Sequence, residues 1–282
     1  MDPKYSNMPG SILSYQQKAP VKLLCEIDLK KLLLAPKERD RFDKNWKGFF
    51  ESDKCNKEIF ELKGDRLKYQ SEQLIPSKSD DRPPLLLILG NPASHSVKAG
   101  MFFALERGKK EHRFWKYILG ESGVLELSYD DKLPVETLSE SRKKQLLELK
   151  YKSPFRIGLC VYISIPSGSS GKWSGIAGVK KLIGAKAMRR LEVEESHRII
   201  EWSKEFLSGN GVVVTFQKNA WNGLKSEGDI SYSIEDAKKG VLVGTLKDMP
   251  NTPLFGVPPT RLSGPCSQIL RDLLTQQGYN LL

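Results

Sequence analysis

Short, continuous apolar runs alternate with amphipathic segments beyond residue 80, and this alternation constrains the fold more than any other feature. The four runs cover residues 85–89, 158–165, 212–216 and 241–246. An apolar run without polar alternation is typical of a strand buried on both faces, as in a parallel sheet. The segments between the runs carry apolar residues at helical spacing, for example Ile199, Trp202 and Phe206. We therefore predict an α/β fold, a three-layer αβα sandwich with a central, mainly parallel four-stranded sheet.

The first 80 residues have a different character, because they are charged and irregular in pattern. Short helices are predicted at 28–36 and 40–62, and the polar stretch 76–81 is predicted to be a loop. We see no catalytic pattern in this part of the sequence. We expect residues 1–80 to form an N-terminal extension, partly helical, that caps the core, and residues 81–282 to form the main domain.

The charge balance is strongly basic, with a formal net charge of +11 over 282 residues. Such an excess favours polyanions such as nucleic acid, although a solvated basic surface would give the same count. The four cysteines show no C-x-x-C pairing, so metal or iron–sulfur ligation is not expected. No apolar run approaches the roughly 20 residues that span a bilayer. We expect a monomeric intracellular protein, cytoplasmic or nucleoid-associated, with no cofactor, no metal and no membrane partner.

Two loops are singled out by their places after the first and the last predicted strand, because parallel α/β sheets bind ligands beyond the carboxyl ends of their strands. The first loop begins Gly90-Asn91-Pro92-Ala93-Ser94-His95-Ser96 and continues to Gly100, Phe102 and Phe103. The second loop reads Val257-Pro258-Pro259-Thr260-Arg261-Leu262-Ser263-Gly264. Between them lies the run Arg113-Phe114-Trp115-Lys116.

Together these segments resemble the uracil-DNA glycosylase superfamily, and most of all its mismatch-specific uracil/thymine branch. In that branch an Asn-Pro turn follows the first core strand, and Ser, Gly and Phe follow at fixed offsets. Ser96, Gly100 and Phe103 stand at those offsets without a gap. The resemblance covers approximately residues 82–280. It implies that the partner is DNA containing uracil or a mismatched or damaged base.

The resemblance implies a hydrolase in which Asn91 holds the water that attacks the glycosidic carbon. An amide oxygen accepts a hydrogen bond from water but takes up no proton near pH 7, so Asn91 is expected to orient the water rather than to deprotonate it. The flipped-out base is expected to stack on Phe103, for which burial in the core is the alternative. The predicted base-binding residues are Gly90, Pro92, Phe103 and Ser164.

The remaining predicted roles concern contacts with the DNA duplex. By the resemblance, Leu262 fills the space that the flipped nucleotide leaves. Ser263 can also cap the final helix, which is predicted over roughly residues 265–277, and this role is compatible with a phosphate contact. For His95, a phosphate contact is favoured over a role as general acid. The predicted DNA-binding residues are Ser94, His95, Ser96, Pro259, Thr260, Arg261, Leu262 and Ser263.

Two functional hypotheses follow, and both involve nucleic acid. The first is a monofunctional DNA glycosylase of base-excision repair that hydrolyses the N-glycosidic bond of uracil, or of mismatched thymine or another damaged base. The alternative is a non-catalytic nucleic-acid-binding protein of the same fold, because Pro258 stands where relatives carry His or Asn and offers neither a side-chain donor nor an N–H. An unrelated α/β hydrolase is disfavoured, since the sequence has no G-x-S-x-G elbow.

Overall fold

The structure is a computed structural model that describes residues 5–6, 10–106, 111–128, 133–208 and 211–282. Among these residues the strands are β1 Tyr5–Ser6, β2 Leu13–Gln17, β3 Lys22–Asp28, β4 Phe60–Lys63, β5 Arg66–Leu74, β6 Pro84–Leu89, β7 Arg156–Val161, β8 Val212–Thr215, β9 Val243–Leu246 and β10 Met249–Gly256. The helices are α1 Leu29–Leu32, α2 Pro36–Phe50, α3 Asn56–Ile59, α4 Ser94–Ala99, α5 Val135–Glu148, α6 Gly175–Ile183, α7 Ala185–Leu207, α8 Lys218–Leu224, α9 Ile234–Lys239 and α10 Ser263–Gln276, with a π-helix at Phe114–Gly120.

The chain divides into two compact units, each of which is described by itself. The first unit comprises residues 1–73, 90–102 and 161–198, and the second comprises residues 74–89, 103–160 and 199–282. No helix in the described ranges is long and apolar enough to cross a bilayer.

The first unit contains an antiparallel sheet in the strand order β1-β2-β3-β5, and β4 also pairs antiparallel with β5. Strand β3 shows why this sheet has one core face. Leu23, Cys25 and Ile27 are buried, whereas Leu24 and Glu26 between them are half-exposed. Successive side chains of a strand point to opposite faces, so this alternation buries one face and leaves the other to solvent.

The second unit contains the strand order β7-β6-β8-β10-β9. Strands β6 and β8 run parallel to each other, as do β8 and β10, whereas β9 runs antiparallel to β10. Every residue of β6 and of β8 is buried, as expected for strands covered on both faces. On β7, a Cβ atom at Gly158 would lie 2.9 Å from Cε1 of Phe206, so only glycine allows the ring to pack this close.

The α/β class is confirmed, but the predicted sheet of four strands is incomplete. The run 241–246 contains β9, an antiparallel strand, and the parallel neighbour of β8 is instead β10, which the sequence analysis missed. Pro250 and Pro253 lie within β10 and resemble turn residues, which hid the strand. The five strands before residue 75 were also missed.

The helix predicted over 40–62 is wrong in its second half. Helix α2 ends at Phe50, a single turn forms α3, and residues 60–62 belong to β4. The aromatic residues of this region suggested one amphipathic helix, but Phe60 packs across strands against Tyr69 of β5, with 5.8 Å between the ring centroids. Tertiary pairing therefore overrides the local pattern.

Candidate functional site around Asn91

The turn after β6 is bonded along its length to the segment 163–167. The N–H of Ile163 donates to the carbonyl oxygen of Gly90 over 3.0 Å, and the N–H of Ser167 donates to that of Pro92 over 3.1 Å. In return, the N–H of Ser94 donates to the carbonyl oxygen of Ser167 over 2.9 Å. The backbone of the turn is therefore fixed before any ligand binds.

The side-chain amide of Asn91 has one orientation imposed on it by these neighbours. Its Nδ2 donates to the carbonyl oxygen of Ile165 at 3.1 Å and to Oγ of Ser167 at 2.9 Å. The choice between amide N and O is secure on chemical grounds, because a carbonyl oxygen can only accept. The hydroxyl of Ser167 points its own proton toward the carbonyl oxygen of Gly168, at 3.4 Å, which leaves a lone pair for Asn91.

The orientation of the Asn91 amide leaves Oδ1 as its unused acceptor. Among the described residues, no hydrogen bond to this oxygen is present, and the side chain is half-buried. Both amide protons are already engaged, so Oδ1 can accept a hydrogen bond from water without any rearrangement. This is the geometry that an orienting group for an attacking water requires.

Ser94 and Ser96 start helix α4, and both are buried. The hydroxyl of Ser94 donates to Oδ1 of Asn56 at 2.6 Å, while Nδ2 of Asn56 donates to the carbonyl oxygens of Phe49 and Phe50 at 3.1 Å each. Ser94 thus ties the turn to the end of α2, and its predicted phosphate contact has no support in this geometry. Pro92 is also buried, whereas His95 and Gly90 are half-buried.

The segment 161–164 is held by a buried ion pair from helix α7. Nε of Arg198 donates to Oε2 of Glu195 at 2.7 Å, and both side chains are fully buried. Nη2 of Arg198 donates to the carbonyl oxygen of Val161 at 2.5 Å. Oε1 of Glu195 accepts from the N–H of Ser164 at 2.6 Å and from its Oγ at 2.5 Å. The pair therefore fixes the backbone one residue before Ile165, which orients Asn91.

Ser164 was predicted to bind the base, but its hydroxyl is committed to this interior network. Its one proton goes to the Glu195 carboxylate, so the Tyr69 hydroxyl at 2.7 Å must donate to Oγ of Ser164. Burial raises the pKa of Tyr69 and raises the pKa of the Cys25 thiol to about 12, so both keep their protons at neutral pH. Ser164 is fully buried, and the geometry does not support a base contact.

Phe103 belongs to the second unit, and its ring packs against two neighbouring rings. Its ring centroid lies 4.3 Å from that of Phe114 and 4.4 Å from that of His112. Its φ of +46° is unusual for a side chain other than glycine, and Nε1 of Trp115 donates to its carbonyl oxygen at 3.1 Å. Phe103 is half-buried, and its role as a platform for the base stays a prediction.

The second predicted loop forms a short turn before α10. The N–H of Leu262 donates to the carbonyl oxygen of Pro259 over 2.8 Å, and Arg261 is exposed, while Leu262 and Thr260 are half-exposed. Ser263 is the first residue of α10, and Leu262 occupies the cap position without a side-chain cap bond, so a capping role for Ser263 is not seen. Pro258 is buried.

Sequence reasoning missed the residues that hold Asn91, namely Ile165, Ser167, Glu195 and Arg198, and the tie through Asn56. One signal was available. Leu191, Glu195, Arg198 and Trp202 recur at i, i+4, i+7 and i+11, so two opposite charges stand on the apolar face of a helix. Charges at core-facing positions are almost always paired.

A cavity of about 440 Å³ opens against the antiparallel sheet of the first unit. Its lining includes Leu24, Ile59 and Phe60, together with Glu26 and Lys68, which form an ion pair at 3.4 Å. None of the predicted site residues lines it. We therefore place the candidate site at Asn91 rather than in this cavity.

The fold and the site define a mixed α/β protein with a pre-oriented asparagine at a strand end. No protein-family model matches the chain, and a search of curated proteins finds no significant match.

Proposed function

We propose that this protein is a monofunctional DNA N-glycosylase that hydrolyses the N-glycosidic bond of uracil, or of mismatched thymine or another damaged base, in base-excision repair. The observation that carries the proposal is the Asn91 amide, whose two donors are occupied and whose Oδ1 faces no protein partner in the described chain. We also propose that β7, β6, β8 and β10 form the central sheet of a three-layer αβα sandwich.

The proposed mechanism assigns a limited role to Asn91. The target nucleotide leaves the base stack, because its glycosidic bond is unreachable inside a duplex. Oδ1 of Asn91 accepts a hydrogen bond from a water and aims the water's lone pair at C1′. The water oxygen forms a bond to C1′ as the bond from C1′ to the base breaks, the electron pair leaves with the base, and the proton released by the water passes to solvent. An amide gives no base catalysis, so we expect a slow enzyme compared with one that carries a carboxylate here.

The departing base needs hydrogen-bond donors. A second candidate function is considered because the side chains predicted at the base offer few such donors. Pro258 has no donor, Ser164 is engaged with Glu195, and Phe103 already stacks on His112 and Phe114. These observations favour a non-catalytic nucleic-acid-binding protein of the same fold as the alternative. Under the first proposal, the backbone N–H of Gly90 supplies a donor.

The deciding experiment is single-turnover excision with protein in excess. Duplexes that carry uracil, or a thymine–guanine mismatch, are incubated with the protein and then treated with alkali to cut abasic sites. We expect slow cleavage by the wild type and a loss of about 100-fold or more in Asn91→Ala, because the water loses its orienting group. Asn251→Ala, which changes an exposed asparagine, is the matched control.

The outcomes separate the two candidates. Absence of cleavage on every substrate, with DNA binding intact, would favour the non-catalytic protein. Cleavage that survives unchanged in Asn91→Ala would instead place the site elsewhere. Cleavage that falls equally in Asn251→Ala would show that the loss is not specific to the site.

A further inference from the structure

Helix α2 presents a row of exposed cations that the proposed chemistry does not use. Lys37, Arg41 and Lys44 recur at i, i+4 and i+7, so they share one face of the helix. The carboxylates of α2 that form ion pairs are Glu38 and Asp43, which pair with Arg190 and Arg39 instead. Within the described residues, the three cations of the row have no ion pair.

The row continues onto helix α6 and the residues before it. Gly48, at i+11 from Lys37, lies under the ring of Trp173, where a Cβ atom would be 3.4 Å from Cζ2. The Nζ atoms of Lys172 and Lys181 lie 4.7 Å and 5.6 Å from the centre of the same ring. We call the set Lys37, Arg41, Lys44, Lys172 and Lys181 the α2–α6 basic surface.

The packing of α2 on α6 fixes the arrangement of this surface. Nδ2 of Asn45 donates to the carbonyl oxygen of Lys181 at 3.1 Å. Near the other end of the row, Cδ of Arg41 lies 3.3 Å from the place of a Cβ atom on Gly184, so the guanidinium stem packs against the end of α6. Cations from two elements therefore lie along one shared edge.

The α2–α6 basic surface is joined to the Asn91 turn by three consecutive contacts within the first unit. The Trp173 ring packs edge-on against Phe49 at 6.1 Å, Asn56 donates to the carbonyl oxygen of Phe49, and Ser94 donates to Asn56. From Gly48 back to Lys37 a helix rises roughly 16 Å. One strand of B-DNA carries a phosphate every 3.4 Å along its axis, so this length matches about five phosphates.

We propose that the α2–α6 basic surface binds the phosphate backbone of the DNA that flanks the nucleotide presented to Asn91. The inference rests on the proposed function for the choice of DNA as the partner. An anionic membrane fits less well, because an interfacial helix turns an apolar face outward. The apolar residues Phe42 and Phe49 of α2 are fully buried, and the exposed row consists of charged side chains.

The test compares two triple variants that remove the same charge. Lys37→Gln, Arg41→Gln and Lys44→Gln are combined in one protein, and the exposed Lys144, Lys238 and Lys239 are changed to Gln in the control. Binding to a labelled duplex without uracil is measured by anisotropy at several KCl concentrations. We expect the slope of log K against log salt to become shallower by about 2 to 3 in the first variant, since each lost phosphate contact removes about 0.9. The control keeps the wild-type slope and both variants keep the wild-type thermal midpoint.

Three results would overturn the proposal. These are an unchanged slope in the first variant, an equal change in the control, and a loss of binding to phosphatidylserine vesicles while DNA binding stays intact. The measurement needs no excision, so it separates the two proposals. If the surface governs DNA binding but no variant or wild-type protein cleaves uracil DNA, the glycosylase proposal fails alone. If the wild type excises uracil but the slope is unchanged, the inference about the surface fails alone.

Discussion

The segment around Asn91 in the first unit is held by hydrogen bonds from buried polar groups. Strands β6 and β8 in the second unit instead carry mainly aliphatic side chains, which are buried. Glu195 and Arg198 are fully buried and together bond Val161 and Ser164. In contrast, β6 reads Pro-Leu-Leu-Leu-Ile-Leu and is buried throughout. Polar interiors hold one geometry precisely but depend on every partner, while apolar interiors depend mainly on volume. This difference predicts different responses to mutation and to pH.

We expect the largest effect on stability when the charge of Glu195 is removed. In Glu195→Gln the fully buried Arg198 guanidinium loses the carboxylate charge of Glu195, so we expect the free energy of unfolding to fall by about 3–5 kcal/mol. The measurement is urea unfolding followed by circular dichroism. The double variant Glu195→Gln with Arg198→Met removes both charges and should recover most of the loss. A cost below about 1 kcal/mol, or a double variant no more stable than the single one, would contradict the assigned role of the pair.

The second prediction concerns the aliphatic strands. Leu87 in β6 is fully buried, so Leu87→Ala should cost about 2–5 kcal/mol through lost burial and a cavity. Leu87→Met keeps most of the volume and should cost less than about 1.5 kcal/mol. We expect the Leu87→Ala cost to be the same at pH 6 and pH 9, because no titratable group takes part. A cost that changes with pH would remove the contrast between the two regions.

The sequence predicts the aliphatic strands well and the polar segment poorly, for a physical reason. The run 85–89 predicts a buried strand by itself, as do the run 212–216 and the first half of the run 158–165, because their signal is local. Residues 162–165 lie beyond the end of β7, so the prediction was too long there. Glu195 acts on Ser164, 31 residues away, and Asn56 acts on Ser94, 38 residues away. No local pattern encodes those pairings.

The candidate site shows the same division. The Asn91 turn could be found because it follows a recognisable strand, and its motif carries a family resemblance. Its orienting acceptors, Ile165 and Ser167, could not be found, since one is a backbone carbonyl and the other a serine in a loop rich in serine and glycine. Strand β10 was missed because its prolines resemble a turn, and that is a failure of local propensity rather than of distance.

The third prediction uses a buried acid of the first unit. Burial raises the pKa of Glu72 to about 8, from an ordinary value of 4.5. The folded state therefore binds this proton more tightly than the unfolded state does. The stability that neutral Glu72 contributes is fully present below about pH 4.5 and is lost as the pH rises through 8. Glu72→Gln mimics the neutral acid and should remove this loss. At pH 9 we expect the variant to be more stable than the wild type by at least about 1 kcal/mol.

The measurement for Glu72 is urea unfolding at pH 6 and pH 9. Glu61→Gln is the control, because Glu61 is exposed, pairs with Lys63 and has a lowered pKa, so it stays ionised across this range. Its difference from the wild type should not change with pH. If the wild type and Glu72→Gln lose equal stability between pH 6 and pH 9, Glu72 is already ionised in the folded protein.

The smallest effect is expected from a variant that tests whether the hydrogen bonds to the Asn91 amide matter for excision. Ser167→Ala removes one of two acceptors for Nδ2 and leaves the Ile165 carbonyl in place. A neutral hydrogen bond contributes about 1 kcal/mol, so the single-turnover excision rate should fall about fivefold while DNA affinity is unchanged. Ser169→Ala, at an exposed position of the same loop, should keep the wild-type rate. A rate unchanged in Ser167→Ala would mean that Ile165 alone orients the amide, whereas an equal fall in both variants would point to the loop as a whole rather than to the bond with Asn91.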